Sequence, residues 1–96
     1  MYVKQPAVYI LANQSGNCLY IGVTSDLKAR VWQHKNGSVG GFSKRYNIDC
    51  LVYYELFLDI TDAIDREKQL KKWKRKWKEN LIAKTNRCWV DLYDSL

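Results

Sequence analysis

The sequence predicts an α+β fold in which helices flank a small, mainly antiparallel sheet of three strands. Two short apolar segments, at residues 7–11 and 19–23, are separated by a polar turn, and a third apolar run lies at residues 51–57. Helical spacing of apolar residues follows the second and third of these segments. The order strand, strand, helix, strand, helix favours a layered structure. With 96 residues, we expect one domain, spanning 1–96, built around one core.

The first two strands are predicted to form a hairpin. Apolar residues alternate from Ala7 to Leu11 and again from Leu19 to Val23, which is the period of a strand. The intervening residues 13–17 read Asn-Gln-Ser-Gly-Asn, a composition typical of a turn. The two strands should therefore pair with each other.

The first helix is predicted directly after the hairpin. Thr24, Ser25 and Asp26 carry side-chain oxygens that can cap a helix N-terminus. An Asn-Gly pair at residues 36–37 should end the helix, which then runs from about Asp26 to Lys35. The residues that recur at helical spacing are Leu27, Val31, His34 and Lys35.

The second half of the chain is predicted as a loop, a strand and a long helix. Residues 37–46 are loop-like, and Leu51 to Phe57 read as the third strand. Asp62 can cap the next helix. The tail from Trp89 to Tyr93 could return as a short strand or cover an open sheet edge. The apolar stripe expected to pack that helix against the sheet consists of Ala63, Leu70, Trp73, Trp77 and Leu81.

The charge of the chain is concentrated in one segment. The formal net charge is +6, and eight of the 16 Lys and Arg residues lie between Arg66 and Lys78. Such clustering points to a polyanionic partner, although the same lysines would also suit a solvated helix face. No run reaches the ~18 to 20 apolar residues of a membrane span, and no secretory signal is present. We therefore expect a cytoplasmic protein without a membrane partner.

Three widely spaced cysteines give no sign of a disulfide framework or a zinc site. Cys18, Cys50 and Cys88 are odd in number and contain no Cys-x-x-Cys pair. We expect reduced, partly buried thiols.

Four short motifs occur in a characteristic order along the chain. Val8-Tyr9-Ile10 is followed by Tyr20-Ile21-Gly22, then by Arg30 and His34 four residues apart, and by Arg66-Glu67 in the basic segment. This order resembles the GIY-YIG nuclease family, above all its small single-domain members. The tail around Asn86 and Trp89 is also similar to that group. The resemblance implies three strands flanked by helices and a metal-dependent endonuclease activity.

The resemblance assigns the two motif tyrosines to catalysis. Tyr20 corresponds to the residue that deprotonates the attacking water, or relays its proton, and Tyr9 to one that orients the water or contacts the phosphate. A phenol has an unperturbed pKa of about 10, so Arg30 and a metal ion are expected to assist Tyr20. Both tyrosines also fit ordinary strand positions. Gly22 would let a phosphate approach closely.

Arg30 and His34 stand four residues apart, so a helix presents them on one side. Arg30 is expected to bind non-bridging phosphate oxygens and stabilise transition-state charge. His34, by the resemblance, orients Tyr20 or shares the role of base. A lone helical histidine could equally be a surface residue.

Glu67 is the carboxylate that the resemblance assigns to one divalent cation, Mg²⁺ or Mn²⁺. Its spacing from Ala63 and Leu70 places it beside the apolar stripe, facing the sheet. One carboxylate with waters and substrate oxygens is a normal magnesium site. The alternative is a salt bridge to Lys71 or Arg66.

Basic residues outside this set are predicted to grip nucleic acid, with DNA expected rather than RNA. Lys44 and Arg45 lie in a basic, aromatic loop with Phe42 and Tyr46. Trp73, Trp77 and Trp89 are expected in the core. A single helical stripe should carry the remaining phosphate contacts, Lys71, Lys74 and Lys78.

The chain departs from the family pattern at two motif positions. Ala7 replaces a glycine, and Val23 stands where several members carry lysine. Three hypotheses follow: an endonuclease of low sequence specificity, a nucleic-acid-binding module without catalysis, and a basic domain that binds an acidic protein. An unidentified partner protein could supply specificity.

Overall fold

The computed structural model describes residues 4–37, 41 and 45–96. Its strands are β1 (Ala7–Ala12), β2 (Leu19–Thr24) and β3 (Cys50–Leu56). Its α-helices within the described part of the chain are α1 (Leu27–Lys35), α2 (Ile60–Lys72) and α3 (Arg75–Thr85), followed by a 3₁₀ turn, Tyr93–Ser95.

The three strands form one antiparallel sheet with the order β2-β1-β3. β1 is central, and each of its six residues is at most 1% exposed. Tyr9 lies opposite Gly22 of β2 on one side and Tyr54 of β3 on the other. The register with β3 shifts between Ile10 and Leu11, as a β-bulge does. The predicted α+β class, with its small antiparallel sheet flanked by helices, is confirmed.

Alternation along the central strand divides the core between the two faces of the sheet. On one side, which we call the α1 face, Tyr9 and Leu11 pack with Leu27 and Val31 of α1. The opposite side, the α2–α3 face, comprises Val8, Ile10, Ala12, Ala63, Leu70 and Ile82. Because successive strand side chains point to opposite faces, a residue's position in β1 determines which helices it contacts.

The predicted first helix is confirmed with its cap. The Asp26 side chain accepts a hydrogen bond from the Ala29 backbone amide at 3.2 Å, and Thr24 Oγ1 accepts one from the Asp26 amide at 3.0 Å. Both satisfy amides that the first helical turn leaves without partners.

The predicted second helix was wrong in two respects. Its cap is Asp59, which accepts from the Thr61 amide at 2.8 Å, while Asp62 lies within the first turn. The helix also stops at Lys72, because Trp73 and Lys74 are both extended, with ψ angles of 147° and 150°. A separate helix, α3, therefore carries the remainder of the basic segment.

The tail covers the outer edge of β3 without becoming a strand. The Leu92 amide donates to the Leu51 carbonyl at 2.8 Å, and Asp91 Oδ1 accepts from the Leu51 amide at 3.1 Å. Asn86, only 5% exposed, donates to the Val52 carbonyl at 3.1 Å. These bonds satisfy edge groups that would otherwise be available to another chain.

Two further properties of the described residues bear on the sequence-based expectations. None of their helices combines the length and apolar character needed to cross a membrane. The three cysteines are free thiols without a disulfide, of which Cys18 and Cys50 are partly buried and Cys88 is exposed. The expectation of partly buried thiols therefore does not hold for Cys88.

Candidate active site

Tyr9 occupies the centre of the α1 face. It is 1% exposed, and its ring lies directly over Gly22, its partner across the hairpin. A β-carbon added at Gly22 would stand 2.3 Å from Tyr9 Oη and 2.4 Å from Cζ. Gly22 therefore provides the space for the Tyr9 ring, a different reason for this glycine than the approach of a phosphate.

His34 is held against Tyr9 by α1. The Tyr9 Oη and His34 Nε2 atoms are 3.2 Å apart, and His34 is 5% exposed. Burial, followed by the proximity of Arg30, lowers the pKa of His34. Burial raises the pKa of Tyr9 to about 12, although Arg30 opposes that rise. At neutral pH the phenol therefore keeps its proton and shares a hydrogen bond with a neutral imidazole.

Tyr20 completes an aromatic cluster with these two residues. Its ring centroid is 5.2 Å from that of His34 and 6.2 Å from that of Tyr9. Unlike Tyr9, Tyr20 is only partly buried, because β2 is the outer strand on this side of the sheet. A substrate at the surface could reach Tyr20 but not the buried phenol of Tyr9.

Arg30 lies one helical turn before His34 and approaches both tyrosines. Interaction with Tyr9 is the largest cause of its raised pKa, and Tyr20 adds to it. Its Nη1 atom also donates to Gln33 Oε1 at 3.2 Å. The four candidates Tyr9, Tyr20, Arg30 and His34 therefore come together on the α1 face.

Glu67 lies on α2, the helix that packs on the α2–α3 face of the sheet. Its side chain is 16% exposed and its carboxylate lies 3.5 Å from Lys71 Nζ. Arg66, the other cation proposed as its partner, instead binds Glu55 at 3.0 Å. Within the ranges that the structure covers, no three His, Cys, Asp or Glu side chains form a metal-binding group. The carboxylate would need waters and substrate oxygens to complete a cation site.

The predicted nucleic-acid contacts are only partly assembled. Lys44 lies outside the described residues, whereas Arg45 is exposed and stands 5.6 Å from the centre of the Tyr46 ring. Lys71 and Lys78 belong to different helices, and Lys74 is the residue that precedes α3. The single helical stripe of lysines predicted from spacing was therefore wrong.

Sequence reasoning missed the pairing of Tyr9 with Gly22. The Asn13 amide donates to the Cys18 carbonyl at 3.3 Å and closes the hairpin turn. Counting outward from that closed turn pairs residue 9 with residue 22. The register of the hairpin was therefore the signal that could have found this contact.

A cleft formed by other described residues lies away from the aromatic cluster. It has a volume of about 1060 Å³ and includes the hairpin turn, Asp49 and Trp89 in its lining. None of the predicted catalytic residues lines it.

Comparison with known proteins identifies the family. Residues 5–80 match the model of the GIY-YIG catalytic domain. A UPF0213 protein of Staphylococcus saprophyticus is 33% identical over 76 residues, covering 79% of this chain and 92% of the relative. A UPF0213 protein of Staphylococcus epidermidis is 35% identical over 75 residues, covering 78% and 90% of the two chains.

A solved structure agrees with this assignment. The solution NMR structure of a UPF0213 protein from Bacillus halodurans superimposes with a TM-score of 0.57 at 26% identity, covering 88% of this chain and 89% of the other. The match to the domain model spans both tyrosine motifs, Arg30, His34 and Glu67. The chain therefore belongs to the GIY-YIG nuclease family and is similar to its small UPF0213 members.

Proposed function

We propose that this protein is a divalent-metal-dependent endonuclease that hydrolyses phosphodiester bonds in structured or single-stranded DNA with little sequence specificity. The observation that carries the proposal is the packing of Tyr9, Tyr20, Arg30 and His34 into one cluster, in a chain that matches the family's catalytic domain. A domain of 96 residues with one core offers little surface for base readout, which needs further elements that enter a DNA groove. Low specificity follows.

Tyr20, rather than Tyr9, is the proposed proton acceptor. Hydrolysis forms a bond between water oxygen and phosphorus, breaks the bond to the leaving oxygen, and moves one water proton to a base. The partly exposed Tyr20 Oη can meet that water, whereas Tyr9 is buried and keeps its own proton. Tyr9 then acts as a positioning residue.

Arg30 supplies the positive charge at the proposed site. Its guanidinium approaches both phenols and can donate paired hydrogen bonds to the phosphate. Donors already in place where charge develops stabilise the transition state without reorganisation.

His34 is proposed to position the aromatic side chains of the cluster. Its Nε2 lies at hydrogen-bond distance, 3.2 Å, from Tyr9 Oη. The Tyr20 ring lies against the same imidazole. We assign His34 to positioning of Tyr20, because its Nε2 atom is already engaged.

Glu67 fits a hard divalent cation by chemistry, since carboxylate oxygen is a ligand that Mg²⁺ and Mn²⁺ prefer. The carboxylate is largely shielded but not enclosed, which leaves room for water and substrate oxygens. When bound there, the cation would neutralise charge on the phosphodiester. Lys71, 3.5 Å away, places a positive charge beside the carboxylate.

The proposal is tested by cleavage of labelled single-stranded, duplex, flap and four-way-junction DNA with Mg²⁺ or Mn²⁺. Glu67→Ala should abolish cleavage while leaving binding largely intact. Glu79→Ala is the matched control, because Glu79 also pairs with a cation one helical turn away, at 3.0 Å from Arg75. Cleavage by Glu67→Ala at the wild-type rate would refute the metal role.

A second variant pair tests the proton acceptor. Tyr20→Phe removes one hydroxyl and should lower the cleavage rate by about 10²- to 10⁴-fold, the usual contribution of a general base. Tyr54→Phe is the control, since Tyr54 is another partly buried strand tyrosine on the α1 face. Equal rates for the two variants would exclude Tyr20 as the base.

The alternative is a nucleic-acid-binding module without turnover, and Val23 is the observation that favours it. Its side chain packs against the apolar α2–α3 face, so this position provides no cation for a phosphate. Salt-sensitive binding without cleavage of any substrate, in either metal, would support this alternative over the endonuclease.

A further inference from the structure

The basic segment turns a corner where α2 ends and α3 begins. Trp73 and Lys74 are extended between the two helices. The Trp73 ring packs partly into the α2–α3 face, whereas the Trp77 ring is 53% exposed. The two rings meet edge to face, with centroids 6.0 Å apart and planes at 85°. Trp77 was expected in the core, and that expectation was wrong.

Trp73, the more buried tryptophan of this corner, is held in place by Arg66. The Arg66 guanidinium lies 5.1 Å from the centre of the Trp73 ring and is itself held by paired hydrogen bonds to Glu55, at 3.0 Å from Nε and Nη2. A cation over an aromatic face is an attractive contact. Trp73 is therefore held on one side by Arg66, and Trp77 packs against it in the edge-to-face contact.

Exposed lysines flank Trp77 in the sequence. Lys72, Lys74 and Lys76 are all exposed, and the ion pairs found among the described residues include none of them. An exposed indole beside cations without acidic partners is poorly explained by folding, because the indole stays in water and the like charges repel. Both features suit a ligand with flat rings and negative charges.

Arg75 connects this corner to the hairpin formed by β1 and β2. Its Nη1 atom donates to the Asn17 carbonyl at 2.7 Å, and Nη2 donates to the Gly16 carbonyl. These carbonyls belong to the turn that joins β1 to β2, the strands of Tyr9 and Tyr20. A nucleic acid held at the corner is therefore bound next to the same hairpin that carries the candidate active site.

We infer that the α2–α3 corner is a binding site for single-stranded nucleic acid, in which one base stacks on Trp77 and the flanking phosphates contact Lys72, Lys74 and Lys76. Stacking on an aromatic side chain requires an unpaired base, because a duplex keeps its base faces covered. The inference rests on the proposed function only for the class of ligand, and it specifies an unpaired strand as the part of the substrate recognised.

The test is fluorescence anisotropy of a labelled oligothymidylate and of a matched duplex, titrated with the full chain in EDTA so that no cleavage occurs. Trp77→Leu keeps apolar bulk but loses the flat ring, and should weaken single-strand binding roughly 5- to 150-fold, the range for loss of one stacked base. Trp77→Phe should retain most of the affinity. Duplex binding should change little in either variant.

Two controls separate stacking from general effects. Trp32, on α1, is 52% exposed, so Trp32→Leu removes an equally exposed indole and should leave the affinity almost unchanged. Lys76→Ala should reduce the slope of log affinity against log salt by about 1, the effect of one phosphate contact. An equal loss in Trp32→Leu and Trp77→Leu would argue against a dedicated site.

The inference is overturned if Trp77→Leu binds the oligothymidylate as tightly as the wild type, or if the duplex loses as much affinity as the single strand. Its failure is distinguishable from failure of the endonuclease proposal, because binding is measured without metal. Selective loss in Trp77→Leu together with no cleavage in Mg²⁺ or Mn²⁺ would refute only the endonuclease.

Discussion

The contact between Gly22 and Tyr9 makes a strong prediction for Gly22→Ala. The backbone at Gly22 does not require glycine, because no positive φ is found there, and alanine in a strand is ordinarily favoured by about 0.5 to 1 kcal/mol. The added β-carbon, however, would stand 2.3 Å from Tyr9 Oη and 2.4 Å from Cζ. Since carbon atoms pack best at roughly 3.5 to 4.0 Å, the ring must move by more than 1 Å.

The Tyr9 ring cannot move without a loss of folding stability. It is 1% exposed and bonded to His34 at 3.2 Å, so displacement both strains the core and breaks that bond. Forced overpacking of a core costs about 1 to 3 kcal/mol, which for a domain of this size corresponds to a fall in Tm of roughly 4 to 24 °C. Urea unfolding followed by circular dichroism measures the change directly.

A double-mutant cycle identifies the cause. The atoms that would clash are the distal ring atoms Oη, Cζ and Cε1, and Tyr9→Leu removes all three. In the Tyr9→Leu background, Gly22→Ala should be neutral or stabilising by about 0.5 to 1 kcal/mol, so the sign of its effect reverses. An equal cost of Gly22→Ala in both backgrounds would refute the contact as the reason for the glycine.

Two further predictions concern buried polar side chains. Because the pKa of His34 is lowered in the folded state, its contribution to the free energy of unfolding is complete above about pH 6.5 and is lost as pH falls, by up to about 1.4 kcal/mol per pH unit. His34→Gln should flatten this dependence of the free energy of unfolding on pH, measured by urea unfolding. Equal slopes in the variant and the wild type would contradict this assignment. Asn86→Ala should lower the free energy of unfolding by about 1 to 3 kcal/mol, since it leaves the Val52 carbonyl without its donor at 3.1 Å. The control Asn80→Ala, at an exposed position, should lower it by less than about 0.5 kcal/mol. Similar losses in the two variants, measured by thermal unfolding, would exclude a stabilising role for the Asn86 hydrogen bond.

Elements governed by local chemistry were predictable from the sequence. The hairpin strands and α1 were placed to within about one residue, because alternation, turn composition and a capping aspartate act over a few positions. The spacing of Arg30 and His34 on α1 was predictable for the same reason, and it brings both side chains to the Tyr9 phenol.

The break at Trp73 was not predictable, because the segment contains neither glycine nor proline. The break lets Trp73 pack partly against the core. This is a tertiary effect, and local helix propensity does not reveal it.

The two outer strands of the sheet differ in how far they are covered. The outer edge of β3 is closed by the tail through Asp91 and Asn86, so a substrate cannot pair there. β2 is partly buried rather than fully covered. It carries Tyr20 on the α1 face, while α2, with Glu67, packs on the opposite face against β1 and β2. Under the proposed mechanism, a phosphate that contacts both Tyr20 and Glu67 would therefore have to span from one face of β2, an outer strand of the sheet, to the other.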